Sequence, residues 1–234
     1  MKFLINLLYY NRPKLVRNAL ESIKRLEYDD WELSIIDDGS EHKIEPIVEE
    51  MLNDFDNKIS LTYIEDTIEQ KTLQGGSRIG KGLNEAILES DADIVINLCD
   101  DDALISDYLN LLKEWFESNP KELYCYSHVL IYNPETENPF DIIEKRDYFT
   151  NRIDDLNPAN SVDCSQVAFR MGCFKEYGLR FPFPQTRDLD ASLFKQAFEK
   201  FGHCSYTGFN SQYKGIFDGQ LGRRRGETEF NYVQ

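Results

Sequence analysis

Ile94-Val95-Ile96-Asn97-Leu98-Cys99-Asp100-Asp101-Asp102 runs from an apolar stretch straight into three consecutive carboxylates. A short apolar run bounded by polar residues reads as a buried strand, which puts the acids just past its carboxyl end. Clustered like charges repel, so the run asks for a cation. Aspartates also form solvated turns freely. The other reading is a hard-cation site, because Mg2+ and Mn2+ take oxygen ligands, use one or two protein carboxylates and fill the rest of their shells with water and phosphate oxygens. That reading leads to a metal–diphosphate substrate.

Outward from this strand, the first 120 residues alternate short apolar runs with segments of helical period, the pattern of strands joined by crossover helices in a parallel sheet. Strands are expected at Lys2 to Tyr9, Trp31 to Ile36, Ile59 to Ile64 and Ile94 to Leu98. Helices are expected at Pro13 to Leu26, Ile44 to Phe55, Arg78 to Glu89 and Asp107 to Glu117, with Pro13 suited by its fixed φ to helix entry. Leu123 to Tyr132 is rich in strand formers. Residues 133 to 160 read as a long polar loop of the kind that covers a site. Gln166 to Arg170 suggests another strand, and Asp190 to Phe201 a helix with Leu193, Phe194, Ala197, Phe198 and Phe201 apolar. The expectation is a single α/β domain with a mostly parallel central sheet flanked by helices. Its two halves are residues 1–120 and a less regular 121–214, followed by a tail, 215–234, that carries Arg223-Arg224-Arg225.

A chain of 234 residues with 41% hydrophobic and 13% aromatic content can bury a sizeable core. Its 42 acidic against 26 basic residues argue against nucleic acid held by nonspecific charge, since such binding relies on basic side chains. The five cysteines, at 99, 125, 164, 173 and 204, are odd in number, widely spaced and without a CxxC pair. They read as reduced thiols, which suits a cytoplasmic location. The apolar start Met1 to Leu8 is too short for a signal segment, and no run reaches membrane-span length.

Ligands of open parallel sheets bind beyond the carboxyl ends of the strands. Three such ends are polar: Tyr9-Tyr10-Asn11-Arg12-Pro13, Asp37-Asp38-Gly39-Ser40 and Asp100-Asp101-Asp102. The second is either an Asx-type turn in which Gly39 takes a positive φ, or a carboxylate that accepts from a base N–H or ribose hydroxyl. Tyr10 is either a stacking platform for a base or an aromatic packed at a strand edge. Gly75-Gly76-Ser77-Arg78-Ile79-Gly80-Lys81-Gly82 nearly spells GxxxxGK[ST], but Gly82 stands where a hydroxyl is required and no buried strand precedes it. Such a turn can still hold phosphate through backbone N–H groups, with Arg78 and Lys71 supplying charge. In Thr186-Arg187-Asp188-Leu189-Asp190, an acid at a helix start is either a cap or a general base facing the sheet edge. His42, His128 and His203 have no triad-like setting.

With these residues in place, the chain resembles glycosyltransferase family 2 enzymes of the Rossmann-like GT-A fold over about its first 210 residues. Tyr10-Asn11-Arg12-Pro13 is similar to the family's TYNR segment, Trp31 to Ser40 to its "ELIIVDDGS" strand, and Leu83-Asn84-Glu85-Ala86-Ile87 to its "RNxGI" helix. Asp100-Asp101-Asp102 falls where its DxD motif belongs, and spore-coat polysaccharide glycosyltransferases look like the nearest subgroup. The resemblance implies a metal-dependent inverting transferase that moves a sugar from a nucleotide-diphosphate donor, UDP-linked by expectation, to a glycan or other acceptor hydroxyl. By it, Tyr10, Asn11 and Asp38 would hold the nucleoside, and Lys71 or Arg78 the diphosphate. Asp100 and Asp101 would touch ribose, Asp100 to Asp102 would hold Mn2+ or Mg2+, and Asp190, with Asp188 as rival, would be the base. Residues 1–120 would then be the donor half and 121–214 the acceptor half. Leu83 replaces the family's common Arg, and the tail after the base helix has no His to offer as a third metal ligand. The rival readings are a sugar-phosphate nucleotidyltransferase, which would need a Gly-rich basic loop where Tyr9-Tyr10-Asn11 stands, and a nucleotide-sugar-binding module without a working base.

Overall fold

The computed structural model describes residues 1–65, 79–142, 148–149, 162–183 and 189–216. In chain order the elements are β1 (Phe3–Tyr9), α1 (Val16–Lys24), β2 (Trp31–Asp37), α2 (Glu45–Leu52), β3 (Ile59–Tyr63), α3 (Ile79–Glu89), β4 (Ile94–Cys99), β5 (Ala103–Leu104) and α4 (Tyr108–Ser118). There follow β6 (Tyr124–Tyr132), β7 (Tyr148–Phe149), β8 (Val167–Arg170), α5 (Gly172–Lys175), α6 (Leu189–Phe201) and β9 (Ser205–Gly215). The strands make one sheet ordered β3-β2-β1-β4-β8-β6-β9-β5, with β7 on β6. The long pairings among β1 to β4 are parallel, as is β6 with β9, and the short ones are antiparallel. This is the mostly parallel, helix-flanked sheet that the alternating pattern predicts.

Side-chain alternation along β1 divides the core in two. Phe3, Ile5, Leu7 and Tyr9 face α1, α2 and α4, while Leu4 joins the cluster under α3, α5 and α6. Both faces of β1, β2 and β4 are covered, which is why these strands read as nearly continuous apolar runs. Each large side chain buried in this way contributes roughly 1.5–3 kcal/mol. The register then sets the site: Tyr9 pairs with Asp37 and Leu8 with Cys99, so the carboxyl ends of three neighbouring strands stop in line.

Several boundaries differ from the sequence expectation. Regular α1 begins at Val16, although Val16 N–H already bonds Arg12 C=O at 3.1 Å, which leaves Pro13 in the entering turn. The stretch expected to be one long polar loop contains a 3-10 turn, Pro139–Asp141, and β7, whose Tyr148 and Phe149 pair with Leu130 and Val129. The largest correction is β9, eleven residues where no strand is expected and whose last residue, Gly215, is expected to open the tail. Its polar groups are spent inside the sheet: Thr207 Oγ1 lies 2.8 Å from Ser127 Oγ, and Ser211 Oγ donates to His128 C=O at 3.0 Å. A strand that buries hydroxyls carries no hydropathy signal. All five cysteines are unpaired. Among the described residues no helix is long and apolar enough to cross a membrane.

Candidate active site

The site is built where β1, β2 and β4 end. After β2, the backbone N–H of Ser40 donates to Asp37 Oδ1 at 2.8 Å, and Gly39 takes φ 74°. Asp37 is therefore the Asx-turn residue. Asp38 is half-buried at the lip, its N–H donating to Tyr9 C=O at 3.0 Å. After β1, Asn11 adopts φ 52°, a conformation Asn tolerates better than most residues. Its Oδ1 accepts from the N–H groups of Glu41 and His42 at 2.8 and 3.2 Å, and its own N–H donates to Ser40 Oγ at 3.0 Å. Asn11, expected to hold a nucleoside, here ties the β1 turn to the β2 turn. Tyr10, 37% exposed, has its ring at the surface between them.

The three aspartates after β4 are nearly inaccessible, at 4%, 3% and 0% exposure. Much of the cation they ask for comes from the protein itself. One nitrogen of Arg12, Nη1, stands 2.9 Å from Asp100 Oδ1 and 3.0 Å from Asp101 Oδ2. The other oxygen of Asp100 accepts the Tyr10 N–H at 2.9 Å. Burial pushes the Asp100 carboxyl up to about 6, against the pull of Arg12.

Asp102 points the other way, into a network supplied by β9. Its Oδ1 accepts Gly215 N–H at 3.0 Å. Its Oδ2 accepts Ser165 Oγ at 3.0 Å, Lys214 Nζ at 3.1 Å and Gln212 Nε2 at 3.4 Å. Gln212 Nε2 also donates to Ser165 Oγ. Lys214 reaches Asp163 Oδ2 at 3.1 Å as well. Burial pushes the Asp102 carboxyl up, while Lys214 opposes it. Asp163 is also pushed up by burial, but Lys214 and Ser165 outweigh that and hold it below the usual range. Tyr132 Oη donates to Asp101 C=O at 3.0 Å, and a side chain at Gly215 would overlap that same carbonyl. The sequence gives Arg12 no role of its own and does not mark Lys214, Gly215, Asp163, Ser165 or Gln212 for the site. Only Arg12 carried a signal, within the segment Tyr10 to Pro13; Lys214 lies 112 residues from Asp102 in a strand without periodicity.

Asp190 stands in the first turn of α6, its Oδ1 accepting Ala191 N–H at 2.8 Å. Burial raises the Cys164 thiol foremost, and the negative charges of Asp190, Asp163 and Asp102 add to that rise. The approach to α6 is fixed by Asn84, whose Oδ1 accepts Phe181 N–H and whose Nδ2 donates to Phe181 C=O, each at 2.9 Å. Lys71, Arg78, Asp188 and the run Arg223-Arg224-Arg225 lie outside the described residues.

The donor set suits a hard divalent cation. Asp101, Asp102 and Cys99 can each bring one ligand atom within 4.8 Å of the others. Burial raises the Cys99 thiol well above its ordinary value, which keeps it protonated and leaves the carboxylate oxygens as the better ligands.

The sequence model of glycosyl transferase family 2 matches residues 6–178. Protein CgeD of Bacillus subtilis (strain 168) is 27% identical over 126 residues, which is 54% of this chain and 29% of that protein. Among solved structures, S. aureus TarS 1-349 in complex with UDP-GlcNAc superposes with a TM-score of 0.71 at 18% identity, over 94% of this chain and 60% of that one. Mannosyltransferase PcManGT from Pyrobaculum calidifontis, in complex with GDP-Man and Mn2+, superposes with a TM-score of 0.62 at 16% identity, over 96% of this chain and 59% of that one. The chain thus spans less than two thirds of each of these relatives, and nearly all of it superposes on the two solved structures. By the family match and by this shared GT-A fold, the chain belongs to glycosyl transferase family 2.

Proposed function

We propose that the chain transfers a sugar from a nucleotide-diphosphate donor, UDP-linked by preference, to an acceptor hydroxyl with inversion at the anomeric carbon. The observation that carries this reading is the register that ends β1, β2 and β4 in line. It sets Tyr10, Asp38 and the three aspartates along one edge, and Asp190 stands in the first turn of α6. TarS and PcManGT, of the same fold, are described with UDP-GlcNAc and with GDP-Man and Mn2+. In this reading residues 1–120 bind the donor and 121–214 the acceptor, and the five unpaired thiols suit the reducing cytoplasm.

Asp38 and Tyr10 would hold the nucleoside by a carboxylate acceptor and a ring face, and Asn11 would fix the turn that aims them. Lys71 and Arg78 are the candidate diphosphate partners. The Asp190 carboxylate would take the proton of the acceptor hydroxyl as its oxygen attacks the anomeric carbon from the face opposite the leaving group. The bond to the diphosphate oxygen then breaks, and the nucleotide diphosphate leaves with that electron pair. A divalent ion, Mn2+ or Mg2+, held by the carboxylates of Asp100 to Asp102, would supply charge neutralisation of the leaving diphosphate.

Thermal shift with UDP, GDP, dTDP and CDP, each with and without MnCl2, tests the donor site. One nucleotide at a hundred times its Kd should stabilise by about 2.7 kcal/mol, with metal required for the full effect. No shift with any of them would overturn the reading. Asp190→Ala and Asp188→Ala, assayed separately for transfer, test the base. The expected outcome is a fall of two or more orders of magnitude in kcat for Asp190→Ala with nucleotide binding retained. Full transfer by that variant would remove Asp190 from the mechanism.

A further inference from the structure

Lys214 is the cation of the network around Asp102, and its setting has three parts. Its ammonium lies 3.1 Å from Asp102 Oδ2 and 3.1 Å from Asp163 Oδ2, with its side chain only 14% exposed. Its neighbour Gly215 delivers its N–H to Asp102 Oδ1 and is packed so closely on the Asp101 carbonyl that no side chain fits there. β9 is fixed against β5, the strand that leaves the aspartates, by pairing of Tyr213 with Ala103 and Gln212 with Leu104. The end of β9 therefore grips both the backbone and the outermost carboxylate of the acid run. Without the ammonium, the buried Asp102 and the partly exposed Asp163 would lose the cation they share, and their mutual repulsion would favour a turn of one carboxylate away from the other.

We propose that Lys214 is a positioning residue for the donor site: it holds Asp102 between Ser165 and Gly215, and through Asp102 fixes the Asp101 carboxylate for the cation and the nucleotide diphosphate. This rests on the function proposed above. Lys214 touches neither donor nor acceptor in this role. Groups that orient ligating carboxylates typically matter 10–100-fold for metal affinity or activity. An ammonium that competed with the divalent ion for Asp102 would act with the opposite sign, so the direction of the effect decides.

The test is Lys214→Met beside Lys214→Arg, with calorimetric titration of UDP and GDP in MnCl2 and of Mn2+ alone followed by the resonance of the free ion. For Lys214→Met, Mn2+ and nucleotide should bind at least tenfold more weakly at saturating folded fraction, and Lys214→Arg should recover most of the loss. Unchanged affinity in a folded Lys214→Met protein, even one of lower Tm, would reduce Lys214 to a structural ion pair. Tighter Mn2+ binding would make it a competitor, and both results overturn the proposal. If Lys214→Met does not fold, Asp163→Asn removes the other anchor of the same ammonium and should weaken Mn2+ binding in the same direction; unaltered binding there is equally fatal. A wild-type protein that binds neither nucleotide nor Mn2+ refutes the donor site itself, whereas wild-type binding matched by Lys214→Met refutes only the role of Lys214.

Discussion

At the scale of single residues, Gly215 is a position where the chain has no room for a side chain. A methyl group there must displace the Asp101 carbonyl, which Tyr132 Oη also holds. Gly215→Ala should cost about 1–3 kcal/mol in urea unfolding, the usual penalty of forcing atoms into a packed site, and should weaken nucleotide binding as well. Asp100 makes a prediction in pH. Its carboxyl is raised by burial to about 6 in the folded chain, above its unfolded value, so the folded state holds the proton more tightly between those two values. Stability in metal-free buffer should therefore rise as pH falls from 7 to 5, by on the order of 1–3 kcal/mol from this group. Below that range, Asp163, held low by Lys214, works in the opposite sense as it protonates. Urea midpoints at pH 5 and 7.5 for wild type and Asp100→Asn check this, and an unchanged slope in the variant would exclude Asp100 as its source. These aspartates were readable as a cluster in need of a cation because adjacent like charges are visible in a sequence. That Arg12 and Lys214 supply charge to them was not, because nothing local ties residue 12 or 214 to residue 100 or 102.

Among elements, α3 shows how a motif can be recognised for a reason other than chemistry. Asn84 lies in the helix segment that resembles the family, and its side chain pairs with both the N–H and the C=O of Phe181. It acts as a one-residue strand partner for the segment that leads towards α6 and Asp190. Asn84→Ala should lower stability by about 1–3 kcal/mol, and amide exchange should rise first at residues 179–183. Uniform exchange throughout the chain would contradict that localisation. The first four strands and the main helices were legible because buried parallel strands and amphipathic helices have opposite, strong periodicities. β5 and β7, at two residues each, are too short for any period. β9 hid for a different reason, since its inward residues include Ser211 and Gln212, both fully buried, which hydropathy scores as exposed.

For the whole molecule, a net charge of −16 means that the compact state works against its own repulsion. Raising NaCl from 0.01 to 0.15 M shortens the screening length from about 30 to about 8 Å and should raise Tm in buffer free of divalent ions. A fall in Tm would show instead that ion pairs such as Arg17 with Glu50 outweigh the bulk repulsion. The sheet also carries an order in time. Asp102 is bound to Gly215 across 113 positions of the chain, and β9 sits inside the sheet between β6 and β5. During synthesis the aspartates emerge first and wait for their grip, for roughly 6–23 s at 5–20 residues per second. In that interval the nascent chain has its first four strands but an unfinished acid cluster, whose completion is a late, single event set by the arrival of one strand end.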